Sequence, residues 1–500
     1  MDAEKVLTIP RKIRSVEVVR RGFMSNFLFQ NISQVFSAPQ AIIDIISKFE
    51  PVDEQKGNVN FSEEVKEDLS LNDEGEVDVP DKIIIGAAND VFGDKIFAPT
   101  EDVISTISEI VDTPEKATSA LDKLKSNTHS QMTANILAEA KNSYGSEMKP
   151  SDKRKLESRI NGAADNLIDK SFKHYTIDKN TIEQERAEAL QSRHETGRST
   201  TEIDQEFDKK IKEATEQFQE TLKTGLEELV EESKKDVVKT VETNKREREK
   251  SVIEEGIRDH LRGFSRTIPS FLMAYGDNEV TLATFDTVIP DTVFKEVTSI
   301  TLEQFRLLRD GGPYPDPETG EEKEFKGNLF DPVVFDDSVK EFLALKKKLA
   351  DYFDEKSVED IFDYIPPQKT NQIFTPKAMV KKMVDMLEEE NPGCFDLPDK
   401  TFIDLYMKSG LYIAEIVKRL YQSDKMKNLY PDKYDRLKHI FEKQVYGLAP
   451  TEIIYKIATS YILGFDEDVK ITRHNFKLLD ALPYAKNETL KEKLDEIYGE

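Results

Sequence analysis

The 500-residue sequence predicts a mainly α-helical N-terminal region followed by an α/β domain of the doubly wound, Rossmann-like kind. Three observations carry that expectation. Ile203, Phe207, Ile211, Ala214, Phe218, Leu222, Leu226 and Leu229 recur every three or four residues with Glu and Lys between them, the signature of one helical face. The last 130 residues or so alternate short apolar runs with helix-like runs, as βα units do. One of those runs, Thr401-Phe402-Ile403, ends on Asp404 and turns through Ser409-Gly410 into a helical pattern. A strand that stops at a carboxylate, turns tightly and enters a helix is the usual entry to a nucleotide-type site.

Taken in order, Ser15 to Phe49 reads as helical, and residues 52–80 are acidic, turn-rich and poor in large apolar side chains, as a linker is. Ile83-Ile84-Ile85-Gly86 reads as a short strand, followed by helix from about Pro99 to Lys141. The stretch from about 181 to 262 reads as one long amphipathic helix. Its apolar face implies either packing on a neighbouring helix or self-association as a coiled coil through 203–229, with Gly225 breaking the heptads. Residues Gly263 to Val297 have core-like composition, Gly311 to Pro317 a loop-like one, and helical patterning resumes from Ser338 to about Phe362. Ile365-Pro366-Pro367 then marks a boundary. The expected domains are 1–110, 111–262, 263–366 and 367–500.

In the last domain Thr375 is the expected N-cap and Pro376 the first residue of a helix whose apolar face is Ala378, Val380, Met383, Val384 and Leu387. Strands are expected at Phe402–Asp404, Val445–Leu448 and Val469–Ile471, with helices at Tyr412–Leu420 and Thr451–Tyr461. Ligands of such sheets bind at the carboxyl ends of the strands.

Composition narrows the function. The chain is 34% charged with a net charge of −26, which argues against a protein that coats nucleic acid through clustered Lys and Arg. Its single cysteine, Cys394, excludes an intramolecular disulfide and thiolate metal clusters. Neither a signal peptide nor an apolar run of spanning length is visible, so a cytoplasmic location is expected. The six histidines show no ligand spacing, and no Gly-x-x-x-x-Gly-Lys-Ser/Thr phosphate loop occurs.

Phe374-Thr375-Pro376, with Asp404 following 28 residues after Pro376, resembles the cofactor motifs of adenine-N6 DNA methyltransferases. The closest likeness is to the large bacterial restriction–modification enzymes that fuse such a methyltransferase to a helicase. The resemblance covers roughly residues 365–500; upstream it is one of general character, with 1–110 like a helicase tail and 263–366 like a helical coupler. It implies that Phe374, Thr375 and Pro376 close over S-adenosylmethionine. It further implies that Asp404, Ser409 and Gly410 match the motif Asp-Pro-x-x-Gly-x-Gly, which holds the methionine end. Leu405 replaces the motif's Pro and Lys408 its first Gly. A Lys at φ > 0 is strained by about 1 kcal/mol or more, although its ammonium suits the cofactor's carboxylate. The acid expected two positions beyond Gly447 is absent, because Ala449 stands there; Glu452 is the next acid along. Asn475, followed by Phe476, fits the slot of the residue that contacts the cofactor's adenine amine.

The family's Asn/Asp-Pro-Pro-Tyr/Phe tetrad strips charge from the attacking amine and stacks the flipped base. No such tetrad occurs, and Ile365-Pro366-Pro367-Gln368 precedes the cofactor motifs and lacks both the polar residue and the aromatic. The expectation is therefore an incomplete methyltransferase domain, truncated before its catalytic motif, that binds cofactor without catalysing transfer alone and meets DNA only as part of the intact enzyme. A helical interaction scaffold with a degenerate α/β domain is the alternative, and a small-molecule enzyme on the same fold a third reading.

Overall fold

The computed structural model describes residues 23, 28–36, 40–53, 69–72, 75–95, 97, 117–315, 320, 322–354, 359–366 and 374–499. Most of the linker 52–80, the first part of the helix expected from Pro99, and Asn371-Gln372-Ile373 lie outside these residues. The chain forms two compact units, Glu64–Ser251 and the combination of Met1–Glu63 with Val252–Glu500. The described residues are mainly α-helical, with five short strands. None of their helices is long and apolar enough to cross a membrane.

Within 15–49, the described residues form a 3-10 turn at Ile32–Val35 and a helix, α1, at Gln40–Ser47, rather than one helix. Asn31 at φ 54 interrupts the backbone just before the turn.

The unit Glu64–Ser251 is helical throughout its described elements: α2 (Asp81–Phe92), α3 (Ala117–Thr128), α4 (Ala134–Tyr144), α5 (Pro150–Gln191) and most of α6 (Thr200–Ser265). The expected strand at Ile83–Gly86 is corrected to helix. Ile84 and Phe92 fall on one face of α2 and bury against α4, α5 and α6, so tertiary packing overrides the β preference of three isoleucines. The expected single helix from 181 to 262 is also corrected. It breaks between α5 and α6, where Gly197 adopts φ 69, and the two helices form an antiparallel hairpin. Tyr175 stacks on Phe218 at 5.0 Å, while Arg186 bonds Asp204 and Asp208 at 3.0 Å and Arg159 pairs with Asp236. Phe218, Leu222 and Leu226 are buried with Ile168 and Tyr175. The apolar face of α6 is thus occupied by α5 of the same chain.

The other unit continues with α7 (Ile268–Tyr275), α8 (Asp291–Thr298), α9 (Leu302–Asp310), strands β1 (Gly312–Pro315) and β2 (Glu322–Phe325), and α10 (Pro332–Lys348). A phenylalanine cluster forms its core. Phe264 lies 5.7 Å from Phe305, Phe271 lies 5.4 Å from Phe294, and Phe285 lies 5.4 Å from Phe335, all fully buried. Each such ring contributes about 2 to 3 kcal/mol through burial. The expected loop at Gly311–Pro317 contains β1, which pairs antiparallel with β2. Pro313 and Pro315 are tolerated because each strand of a two-stranded ribbon is an edge. Helix α10 starts six residues before Ser338, where Asp331 accepts from the amides of Val333 and Val334 and Pro332 occupies the first turn. It ends at Lys348, well short of Phe362, and a 3-10 turn covers Ile361–Tyr364.

The last part holds α11 (Lys377–Glu390), β3 (Phe402–Asp404), α12 (Leu411–Gln422), β4 (Val445–Ala449), α13 (Glu452–Leu463), β5 (Asn475–Leu478) and α14 (Leu490–Tyr498). The strands form a parallel sheet of order β3-β4-β5. Pro376, rather than Thr375, holds the N-cap of α11. Residues 469–471 are not a strand, and the third strand begins at Asn475. Their apolar-polar-apolar pattern is too short to distinguish strand from coil. Helix α12 packs on β3 and β4 and α13 on β4 and β5. The Tyr498 hydroxyl of α14 donates to the carbonyls of Gly447 and Asn475 at 3.3 and 2.9 Å.

Candidate functional site

The turn after β3 is built by its own side chains. Asp404 Oδ1 accepts the amide of Tyr406 at 3.0 Å, and the Met407 amide donates to the carbonyl of Leu448 at 2.7 Å, fastening the turn to β4. Ser409 Oγ accepts the amide of Leu411 at 3.3 Å at the start of α12. Gly410 takes φ 82, and a Cβ there would lie 2.8 Å from the Ile462 side chain and 3.2 Å from the Ala458 carbonyl. Only glycine meets both the conformation and the close approach of α13. At Gly447 a Cβ would fall 2.3 Å from Met407 Sδ, so a larger residue there would displace the buried Met407 side chain.

Lys408 is not among the residues with positive φ, so the turn accepts it without left-handed strain. Its Nζ lies 6.0 Å from the centre of the Tyr406 ring. Asp404 is half-buried, and desolvation raises its carboxyl above the ordinary value against the lowering effect of the Tyr406 amide. Tyr412, in the first turn of α12, feels that carboxylate, and its hydroxyl meets Met383 Sδ of α11. Helix α11, which Pro376 caps, is thereby packed on α12, the helix that follows the Asp404–Gly410 turn. Phe374 packs on Phe362 with ring centres 4.8 Å apart, and Phe362 packs on Tyr461 of α13 at 5.0 Å. Phe374 thus connects to α13 through Phe362, whereas Gly410 faces α13 directly. Arg419 of α12 clamps α11 through Asp385 and Glu388.

The structure does not bring Asn475 and Phe476 to this place. Asn475 opens β5 at its amino end, and its amide donates to the carbonyls of Phe441, Glu442 and Val445. Phe476 is buried, 6.3 Å from Phe441. Two residues beyond the carboxyl end of β5 stands Asp480. Leu479 still bonds Ala449 at 2.8 Å, and Asp480 Oδ1 accepts the amide of Leu482 at 3.0 Å. The run Asn-Phe-Lys-Leu-Leu-Asp ends on an acid just as Phe-Ile-Asp does. That signal was available but was masked by placing the strand six residues early. Ala449 is fully buried at the end of β4, and Glu452 acts electrostatically on Tyr275 of α7. The strand ends thus present Asp404, Ala449 and Asp480 in order across the sheet.

No arrangement of His, Cys, Asp and Glu among the described residues suits a metal. Cys394 is buried, and desolvation raises its thiol, which keeps it unreactive.

A parallel sheet thus carries acids at or just beyond two of its three carboxyl ends, beside a glycine turn that enters a helix. Comparison with known proteins adds a relative. The chain is similar to an uncharacterized adenine-specific methylase of Mycoplasma pneumoniae, 26% identical over 129 residues, which is 25% of this chain and 30% of that protein. The aligned part thus spans less than a third of the relative's length, and the likeness supports a distant methyltransferase relationship. No protein-family model matches the chain, and no solved structure matches it.

Proposed function

We propose that residues 374–480 form the S-adenosylmethionine-binding part of an adenine-N6 DNA methyltransferase within a restriction–modification protein that also carries a helicase. The observation that carries this reading is the strand-end geometry: a desolvated Asp404 followed by the Gly410 turn into α12, beside the helix that Phe374-Thr375-Pro376 introduces. The residues present fit the cofactor at its methionine end. Among the described residues Asp404 has only the Tyr406 amide as a hydrogen-bond donor, so its other oxygen remains to take an ammonium. Such a charge-assisted bond would offset the cost of burying the carboxylate. Lys408 supplies a cation for the cofactor's carboxylate. Phe374, Thr375 and Pro376 would cover the site, and Ser409 and Gly410 would hold its backbone.

At the adenine end Asp480 takes the role that the sequence assigned to Asn475 and Phe476, since an acid at a strand end accepts from an exocyclic amine. Bound S-adenosylmethionine supplies an activated methyl group. This chain's residues bind and orient the cofactor; groups that accept the proton of an adenine amine are not part of the assignment. DNA is the substrate of the intact enzyme on this reading.

One observation favours a second reading, a helical scaffold with a degenerate α/β domain. Ala449 is buried where the ribose acid is expected, and the Glu452 charge is close enough to Tyr275 to raise its hydroxyl. Isothermal titration of the chain with S-adenosylmethionine separates the two. The methyltransferase reading expects saturable heat that Asp404→Ala abolishes; no saturable heat from the wild-type chain leaves the scaffold.

A further inference from the structure

A second cavity lies within the same unit. It is a cleft of about 410 Å³ between α7, α10 and α13, with a floor of Met273, Leu343, Ile361, Tyr461 and Phe465. That volume is in the range of small-molecule sites.

Four of its charged groups decide what it would take. Lys346 Nζ donates to the carbonyls of Leu272, Met273 and Gly276 at 3.1, 2.9 and 3.3 Å, so its three protons serve the carboxyl end of α7. Desolvation lowers its ammonium to about 8, with the Asp277 charge opposing that shift. Lys347 pairs with Glu467 at 2.9 Å on the rim. Both cations are therefore engaged. Asp277 and Asp351 also line the cleft. Each gives one oxygen to a backbone amide two residues on, Glu279 at 3.0 Å and Phe353 at 2.9 Å. Both side chains are exposed at the rim, and neither forms an ion pair at contact distance among the described residues, although the Asp277 charge acts on Lys346.

We infer that this cleft binds a small organic cation, an amine carried on an aromatic or compact apolar body. The body would lie on Tyr461, Phe465 and the aliphatic floor, and the ammonium would meet Asp277 and Asp351. A net charge of −26 raises the local concentration of any such cation. The cleft is separate from the strand ends, although both adjoin α13. Tyr461 lines the cleft and also packs on Phe362, which packs on Phe374.

The test is isothermal titration of the full chain with 2-phenylethylamine and with phenylacetate, an anion of similar shape, neither of which requires S-adenosylmethionine. Saturable binding of the amine is expected, at least about tenfold tighter than the anion. The double variant Asp277→Asn/Asp351→Asn keeps the backbone bonds and should weaken the amine about tenfold. Ser460→Trp, which fills the cleft, should abolish binding. Glu213→Gln/Glu216→Gln, equal in charge change but on α6, should leave it unaltered. The inference is overturned by absence of saturable heat with the amine, by equal affinity for the anion, or by a loss in the α6 double variant equal to that in the cleft variant.

Discussion

The α5–α6 hairpin and the three-stranded parallel sheet are stabilised in opposite ways. The hairpin is 42 and 66 residues of helix whose contacts repeat along the sequence, so each turn resembles the next. The sheet depends on a few unrepeated positions: Gly410 against α13, Met407 over Gly447, and Asp404 desolvated at a strand end. Periodic burial contributes stability that tolerates surface change. The unrepeated positions create a place where a ligand can meet backbone and charge, and they leave a carboxylate less well solvated than it is in the unfolded chain.

The sharpest way to separate the two regions is to damage one and measure both. Leu222→Ala removes a fully buried side chain of α6 that packs near Ile168 and Tyr175. It should cost about 3 kcal/mol in denaturant unfolding, with S-adenosylmethionine affinity unchanged. A loss of affinity at this variant would mean that the regions are energetically coupled.

Gly410→Ala should cost about 2 kcal/mol, from its left-handed backbone and the approach of Ile462 and Ala458. It should also remove cofactor binding, as read by titration. Retained binding would show that the turn is structural only.

Asp404→Asn sharpens the contrast because its two effects have opposite signs. Burial raises the Asp404 carboxyl, so the folded state holds that proton more tightly than the unfolded chain does. Its contribution favours folding below the ordinary carboxylate range and is lost as the pH rises through the raised value. At pH 7 the Asn variant should therefore be more stable than wild type, by less than about 1 kcal/mol, and should bind cofactor more weakly. Thermal unfolding at pH 4 and pH 7 checks the sign, since the advantage should shrink on acidification.

The smallest effect is expected at Arg186→Ala, whose pairs with Asp204 and Asp208 are partly exposed. It should cost under about 1 kcal/mol and less at high salt.

The same contrast explains what could be read in the sequence. The face Ile203 to Leu229 was legible because a 3.6-residue period repeated over many turns leaves little ambiguity. Its boundary was not, since Gly197 lies in a polar stretch where nothing apolar marks the reversal. Ile83–Ile85 read as strand because three β-branched residues outweigh a helix signal until Phe92 and the partners of α2 are known. At the sheet, β3 and β4 were visible as apolar runs ending at Asp404 and Leu448, and β4 extends one residue further, to Ala449. The third strand was misplaced because Val469–Ile471 and Asn475–Leu478 carry similar short patterns, and only pairing with β4 distinguishes them. That error moved the expected adenine contact to Asn475, an amide that satisfies three carbonyls, and away from Asp480. The cleft beside Lys346 had no sequence signal, as it joins residues from three separated helices.

The central claim is that S-adenosylmethionine binds at the carboxyl ends of β3 and β5. Ultraviolet cross-linking of methyl-labelled S-adenosylmethionine to the wild-type chain, followed by peptide mapping, tests it most directly. The account predicts label, competed away by unlabelled cofactor, in peptides containing Phe374–Pro376, Asp404–Tyr412 or Leu478–Asp480. Label confined to peptides elsewhere in the chain, or label that unlabelled cofactor does not displace, would contradict it.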